Sequence, residues 1–193
     1  MDNKQASRIV GGNPAQGRRE SDFYPTPPEV TFALLDFLQI PKSTLIWDPA
    51  AGDDDMVQAI RARGYIAFGT DIRFGEDFLK IKAPADVGMI VTNPPFSAAE
   101  DFIRHAAEIG IPFAFLLKSQ FWHAARRAEI FELTPPTYVL PLTWRPDFNF
   151  KSGKRGSPLM DVIWCVWSFP IRGGGTQYIP LRRPREGGHY DKL

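Results

Sequence analysis

Apolar residues return along this chain in two rhythms. Behind Pro25, Pro27 and Pro28, the positions Val30, Leu34, Leu35 and Leu38 recur at helical spacing, and prolines suit the first turn of a helix. Short apolar runs then alternate with helical stretches. The pattern predicts a strand over 43–47 closing on Asp48-Pro49, a helix over 53–63 stopping at Gly64, and a strand over 65–68 ending at Gly69-Thr70-Asp71. It continues with a strand over 87–91 that runs into Asn93-Pro94-Pro95-Phe96, a helix over about 98–109 and a strand over 113–117. A helix over 120–132 and strands over 138–140 and 162–167 complete the set.

Alternation of this kind implies an α/β fold, a parallel sheet with helices on both faces. Such sheets bind ligands at the carboxyl ends of their strands, near the point where strand order reverses. The polar punctuation falls there, at Asp48, Asp71, Asn93 and Lys118. Residues 1–20 lack periodicity and read as a flexible arm, 21–171 as the folded domain, and 172–193 as a basic tail. Within the domain, 144–161 is a long aperiodic loop, and loops of that length tend to carry function or be disordered.

Composition narrows the picture little. A length of 193 residues suits one domain, and 44% hydrophobic residues suit an ordinary core. Cys165 is alone, so no internal disulfide forms, and His105, His123 and His189 lack metal-ligand spacing; no metal is expected. No apolar run approaches the ~18–20 residues a membrane helix needs, and no hydrophobic signal core opens the chain, so a cytoplasmic protein away from membranes is expected. Net charge is only +1, but it is unevenly spread. Residues 145–193 carry nine Lys or Arg against four Asp or Glu, and 21–144 carry ten against sixteen. Basic ends around an acidic middle suit a cationic cofactor and a polyanion, or are simply solvated termini.

Asn93-Pro94-Pro95-Phe96 is the sharpest chemical signal. Two prolines stiffen the backbone after a strand and remove two N–H donors, while Asn93 adds an amide oxygen. The lone pair of an exocyclic base amine is delocalised into its ring, so it is a poor nucleophile. Acceptors at the Asn93 side chain and the Pro94 carbonyl would take both amine hydrogens and favour the pyramidal form. Phe96 offers a flat face for a base to stack on.

This motif resembles the Asp/Asn/Ser-Pro-Pro-Tyr/Phe signature of the amino-methyltransferases, and the motif order and short length look most like the small phage-type DNA N6-adenine methyltransferases. The likeness covers residues 23–118, about half the chain. It implies a Rossmann-like class I methyltransferase fold with a mostly parallel seven-stranded sheet, S-adenosylmethionine as methyl donor, and DNA in duplex form as partner. Asp48-Pro-Ala-Ala-Gly52 resembles the first cofactor motif, with Ala50 and Gly52 in its turn. Here Asp53-Asp54-Asp55 stands where a second glycine is usual; these acids either crowd the cofactor or favour the following helix N-terminus. Asp71, with Ile72 beside it, is placed to accept from ribose hydroxyls or to cap its own turn. Asp77-Phe78 resembles the motif that holds the cofactor's adenine, and Phe23-Tyr-Pro-Thr-Pro27 the segment under its methionine end, with Phe23 and Thr26 as contacts.

Beyond Lys118 the likeness thins. Trp144, Arg145, Phe148, Lys154 and Arg155 mix rings with cations in one loop, which suits phosphate contact and base stacking, as does a merely solvated basic loop. With the Arg172, Arg182 and Arg183 tail it is expected to stand in for a target-recognition domain. Phe121 and Trp122 either line the base pocket or pack the core. Cytosine N4, adenine in RNA and a glutamine amide share the same chemistry, and a non-catalytic nucleic-acid binder is the reading from another class.

Overall fold

A computed structural model of the chain describes residues 24–152, 160–167 and 175–185. The expected N-terminal arm, Phe23, Lys154, Arg155 and Arg172 lie outside the described residues. Helix α1 (Pro28–Leu38) begins on its prolines and ends where Gln39 turns left-handed, its N–H reaching back to the Leu35 carbonyl. Strand β1 (Leu45–Asp48), helix α2 (Asp55–Ala62) and strand β2 (Ile66–Gly69) follow. Then come β3 (Val87–Thr92), α3 (Ala99–Ile109), β4 (Phe113–Lys118), α4 (Ala128–Leu133), β5 (Tyr138–Pro141), β6 (Val162–Trp167) and β7 (Gln177–Tyr178).

The seven strands form one sheet in the order β2-β1-β3-β4-β6-β5-β7. Strand β6 runs antiparallel to both its neighbours; every other pairing is parallel. Successive residues of each central strand supply opposite faces, as the two-residue period of a strand requires. Ile46, Met89, Val91, Leu116, Trp164 and Val166 pack under α1 and α2. Trp47, Ile90, Phe115, Leu117, Cys165 and Trp167 pack under α3 and α4. Three buried indoles find acceptors: Trp47 Nε1 donates to Thr70 Oγ1 (2.9 Å), Trp164 Nε1 to the Val30 carbonyl (3.0 Å), and Trp167 Nε1 to the Thr134 carbonyl (2.9 Å). The Trp164 bond ties the first turn of α1 to the sheet centre.

Two expectations need correction. The helix expected over 120–132 is instead two 3₁₀ turns, Ser119–His123 and Ala125–Arg127, followed by the short α4. Arg127 Nη1 donates to the Phe121 carbonyl (3.0 Å), occupying an acceptor that an α-helix would have used four residues on. Phe121 is buried and Trp122 stacks on Phe131 at 4.0 Å, so these rings pack the core. The domain also continues past 171 into the segment read as tail. Tyr138 pairs with Gln177 and Val139 with Tyr178, the Leu181 N–H donates to the Pro141 carbonyl (2.7 Å), and Leu181 is fully buried. Glycines and arginines on either side conceal this segment in the sequence.

Leu181→Ala should therefore cost about 2–5 kcal/mol, the range for deleting a fully buried leucine. Urea unfolding measures it; a loss below about 0.5 kcal/mol would return the segment to the status of a tail.

Candidate active site

Strand order reverses between β1 and β3, and the crevice there opens at their carboxyl ends. A cavity of about 260 Å³ occupies it. Asp48 ends β1 at its floor, Asn93 follows β3 on one wall, and Asp71 and Ile72 follow β2 on the other. Gly69 makes the floor possible: a Cβ there would lie 2.4 Å from the Ala51 Cβ, so only glycine lets the 50–52 turn settle onto β2. Asp54, where the resemblance expects glycine, keeps a left-handed backbone (φ 62°), a conformation that Asp tolerates better than most residues.

The acid run does not fill the cavity. Asp53 and Asp54 are exposed, and Asp55 alone of the three lines the cavity wall. Lys151, from the loop after β5, pairs with Asp55 (2.6 Å) and approaches Asp53 (4.0 Å), while Arg73 bridges Asp53 (3.2 Å) and Asp71 (3.0 Å). Two cations from distant parts of the chain thus brace the turn. The sequence pattern marks none of Asp55, Arg73 and Lys151 as a site residue, because only the fold brings them together.

Of the two roles open to Asp71, turn capping is the one its hydrogen bonds fill. Its Oδ2 accepts from the Gly52 N–H (2.8 Å), and its Oδ1 from the Arg73 main chain (2.9 Å) and guanidinium (3.0 Å). It caps its own turns first, leaving only the remaining lone pairs for a ribose. Asp77 lines the cavity, held below the usual carboxylate range by its bond to Lys80 (2.8 Å). Phe78 is buried against Trp47 and Phe102 and presents an apolar wall beside it. Asp48, its Oδ1 accepting from the Ala50 N–H (3.2 Å), is fully buried, and burial pushes its carboxyl up to about 7, with Asp54 and Asp71 adding repulsion. Carboxylates beside an apolar slot suit a ligand with a cationic head and a flat body.

Asn93 is the most constrained polar group here. Its Nδ2 donates to the Tyr24 carbonyl (3.1 Å) and to Thr26 Oγ1 (3.1 Å). A main-chain carbonyl only accepts, so the amide cannot be flipped. Its Oδ1 is consequently turned away, buried, and without a hydrogen-bond partner among the described residues. Thr26, expected under the cofactor, lines the cavity but serves first to orient Asn93. Pro94 is buried, Pro95 lines the cavity, and the Pro95 carbonyl accepts from the Ala98 N–H (2.9 Å) to start α3. Phe96 meets the Tyr24 ring at 5.6 Å, and Lys118 Nζ sits 4.2 Å from the Phe96 ring centre. Tyr24 is visible in the sequence only as part of the Phe23–Pro27 segment, yet it contributes both its carbonyl and its ring.

The loop expected to recognise substrate divides. Phe148 is buried edge-on against Tyr24 (6.2 Å), so it is a packing residue and not a free stacking ring. Trp144 packs partly buried against the α1 face of the core. Arg145 is exposed and paired with Asp161 (2.7 Å).

No protein-family model matches the chain, and no curated protein matches its sequence. Solved structures do share its fold. A Listeria monocytogenes protein assigned to the class I S-adenosylmethionine-dependent methyltransferases aligns over 86% of this chain and 68% of its own, at 14% identity and a TM-score of 0.55. A type I restriction-modification system methyltransferase subunit from Streptococcus thermophilus aligns over 81% and 47%, at 13% identity and a TM-score of 0.60. The M protein of the type I restriction enzyme EcoKI aligns over 89% and 48%, at 12% identity and a TM-score of 0.51. The chain spans about half the length of these two restriction-system subunits. The fold is that of class I S-adenosylmethionine-dependent methyltransferases, with its mostly parallel seven-stranded sheet.

Asp48 yields a pH prediction for the ligand-free protein. Its folded pKa near 7 lies above the ordinary 3.8, so folding favours the protonated form. That stabilisation is complete below about pH 4 and is lost as pH rises through about 7, at up to ~1.4 kcal/mol per pH unit. Asp48→Asn should remove this slope. Urea unfolding of both proteins at pH 5 and pH 8 compares them, and parallel profiles would contradict the assignment.

Proposed function

We propose that this chain transfers a methyl group from S-adenosylmethionine to an exocyclic base amine, that of an adenine in duplex DNA. The buried Oδ1 of Asn93, without a hydrogen-bond partner among the described residues, carries the reading. An acceptor held in fixed orientation at the end of β3, beside an acid-lined cavity, is costly to keep unless a donor arrives. An amine supplies that donor.

Bound S-adenosylmethionine would supply an electrophilic methyl on a cationic sulfonium. Asp48, Asp55 and Asp77 give its positive charge a favourable cavity, and Phe78 and Ile72 give its adenine apolar walls. Asn93 Oδ1, with the Pro94 carbonyl as second acceptor, takes the two amine hydrogens of the target base. Both bonds strengthen as the nitrogen pyramidalises, so they stabilise the transition state more than the ground state. The nitrogen lone pair would form the new bond to the methyl carbon as the carbon–sulfur bond breaks, its electron pair staying on the departing neutral thioether. The methylated amine would shed a proton to water, with no strong general base required. Phe96 stacks the flipped base.

Charge along the carboxyl edge of the sheet favours a polyanionic substrate. Asp48, Asp53, Asp55, Asp71 and Asp77 gather on the β1–β2 side. Lys118 ends β4, and Arg126, Arg145, Arg182 and Arg183 follow β4, β5 and β7, whose carboxyl ends point the same way. Arg73, Lys80 and Lys151 offset part of the acidic side, and Asp161 and Glu29 pair with Arg145 and Arg183 on the basic side; the contrast that remains suits a cationic donor and a phosphate backbone. No helix among the described residues is long and apolar enough to cross a membrane, and we place the enzyme in the cytoplasm with its DNA.

Asn93→Ala should lower kcat on the order of 100- to 1,000-fold while leaving cofactor affinity within about threefold. Tritiated-methyl transfer to unmethylated DNA, nucleoside analysis of the product and calorimetry with S-adenosylmethionine read these together. Full activity in the variant would remove the mechanism. Methyl-cytosine in the product would move the target base, and absence of cofactor binding at millimolar concentration would leave a nucleic-acid binder.

A further inference from the structure

The corner built by Tyr24 and Phe96 is already occupied. Their rings lie 5.6 Å apart and tilted by 37°, and the Lys118 ammonium sits 4.2 Å from the Phe96 centre and 5.9 Å from that of Tyr24. Lys118 is the last residue of β4, the parallel neighbour of β3, so its position beside the Asn93–Phe96 segment follows from the sheet. A cation over two aromatic faces is well placed on its own account. It is badly placed for the reaction proposed above. A base stacked on Phe96 at van der Waals distance would need the volume the ammonium fills. A cation there would also oppose the positive charge that develops on the amine nitrogen during methyl transfer.

We propose that the Lys118 ammonium plugs the base-stacking corner of Tyr24 and Phe96 and is drawn out by the phosphates flanking a flipped base, making Lys118 a specificity-determining residue that admits a base only as part of a nucleic-acid strand. The inference rests on the function proposed above. Lysine suits such a plug because four flexible methylenes let a compact charge swing from a ring face to a phosphate. The segment just beyond it supports the destination. From Lys118 to Ala128 the chain carries Lys118, His123, Arg126 and Arg127 and no acid, and His123 and Arg126 are exposed. A free nucleoside, with no phosphate to offer the ammonium, leaves the plug in place.

The test compares wild type with Lys118→Met, which keeps the stem and removes the charge, on a duplex oligonucleotide and on free 2′-deoxyadenosine. With the oligonucleotide, the variant should show a KM raised about tenfold, kcat within threefold, and a log–log salt slope reduced by about one. With the nucleoside, its kcat/KM should rise at least tenfold over wild type. Lys118→Arg should keep the salt slope. An unchanged ratio of nucleoside to oligonucleotide activity in Lys118→Met overturns the plug while leaving the methyltransferase intact. Wild type inactive on both substrates removes the function and the plug with it. Should the variant fail to fold, NMR on wild type decides. The Lys118 ε-methylene signals should be shifted upfield by the two rings in the free protein and lose that shift when oligonucleotide binds; signals that never carry the shift, or keep it on binding, overturn the proposal.

Discussion

A main-chain carbonyl can accept a hydrogen bond and can never donate one, and the site is organised around that asymmetry at Tyr24. Because the Asn93 amide nitrogen must face the Tyr24 carbonyl, its oxygen must face away from it, where it is buried and without a hydrogen-bond partner among the described residues. Thr26 reinforces the choice with a second acceptor, its hydroxyl oxygen, on the same nitrogen. The proline-rich segment before α1 is therefore less a lead-in to a helix than the part that orients the Asn93 side chain. Trp164, bonded to the Val30 carbonyl, fixes that helix to the sheet and with it the strand end that Asn93 follows.

The second organising constraint is electrostatic. Acids replace glycines in the turn after β1, and such a run would repel itself and crowd the cavity if left alone. The fold answers with Arg73 and Lys151, which pair with Asp53 and Asp55 and brace the turn from two distant elements. Lys151 comes from the loop after β5 that also carries Arg145, so one loop supplies the ion pairs to Asp55 and to Asp161. Asp71 is similarly drawn into the scaffold, holding Gly52 and Arg73 at once.

Much of the fold was legible because its central strands are buried on both faces and read as apolar runs, while its helices carry one apolar stripe each. Phe113–Lys118 and Val162–Trp167 could hardly be anything else. The misses have physical causes. Arginine reaching back to a carbonyl broke the helix expected after β4, and no local pattern encodes that reach. Strand β7 is two residues long, held by pairing with a partner some forty residues earlier, and short strands carry little periodicity. Phe148 stands among cations in sequence, yet packs edge-on against Tyr24, because ring burial is decided by which segments the sheet brings together.

What the amino-acid order determined by itself was local: where the chain extends or coils, that polar residues fall at strand ends, and that Asn93, Pro94 and Pro95 form a stiff acceptor. Those are matters of backbone stereochemistry and of period, which act over a few residues. Tertiary structure alone decided which way the Asn93 amide is turned, that Asp53 and Asp55 are paired with Arg73 and Lys151, and that the Lys118 ammonium rests on Tyr24 and Phe96. Each of those depends on hydrogen-bond direction or charge between groups twenty to a hundred residues apart, and only the folded sheet sets such distances.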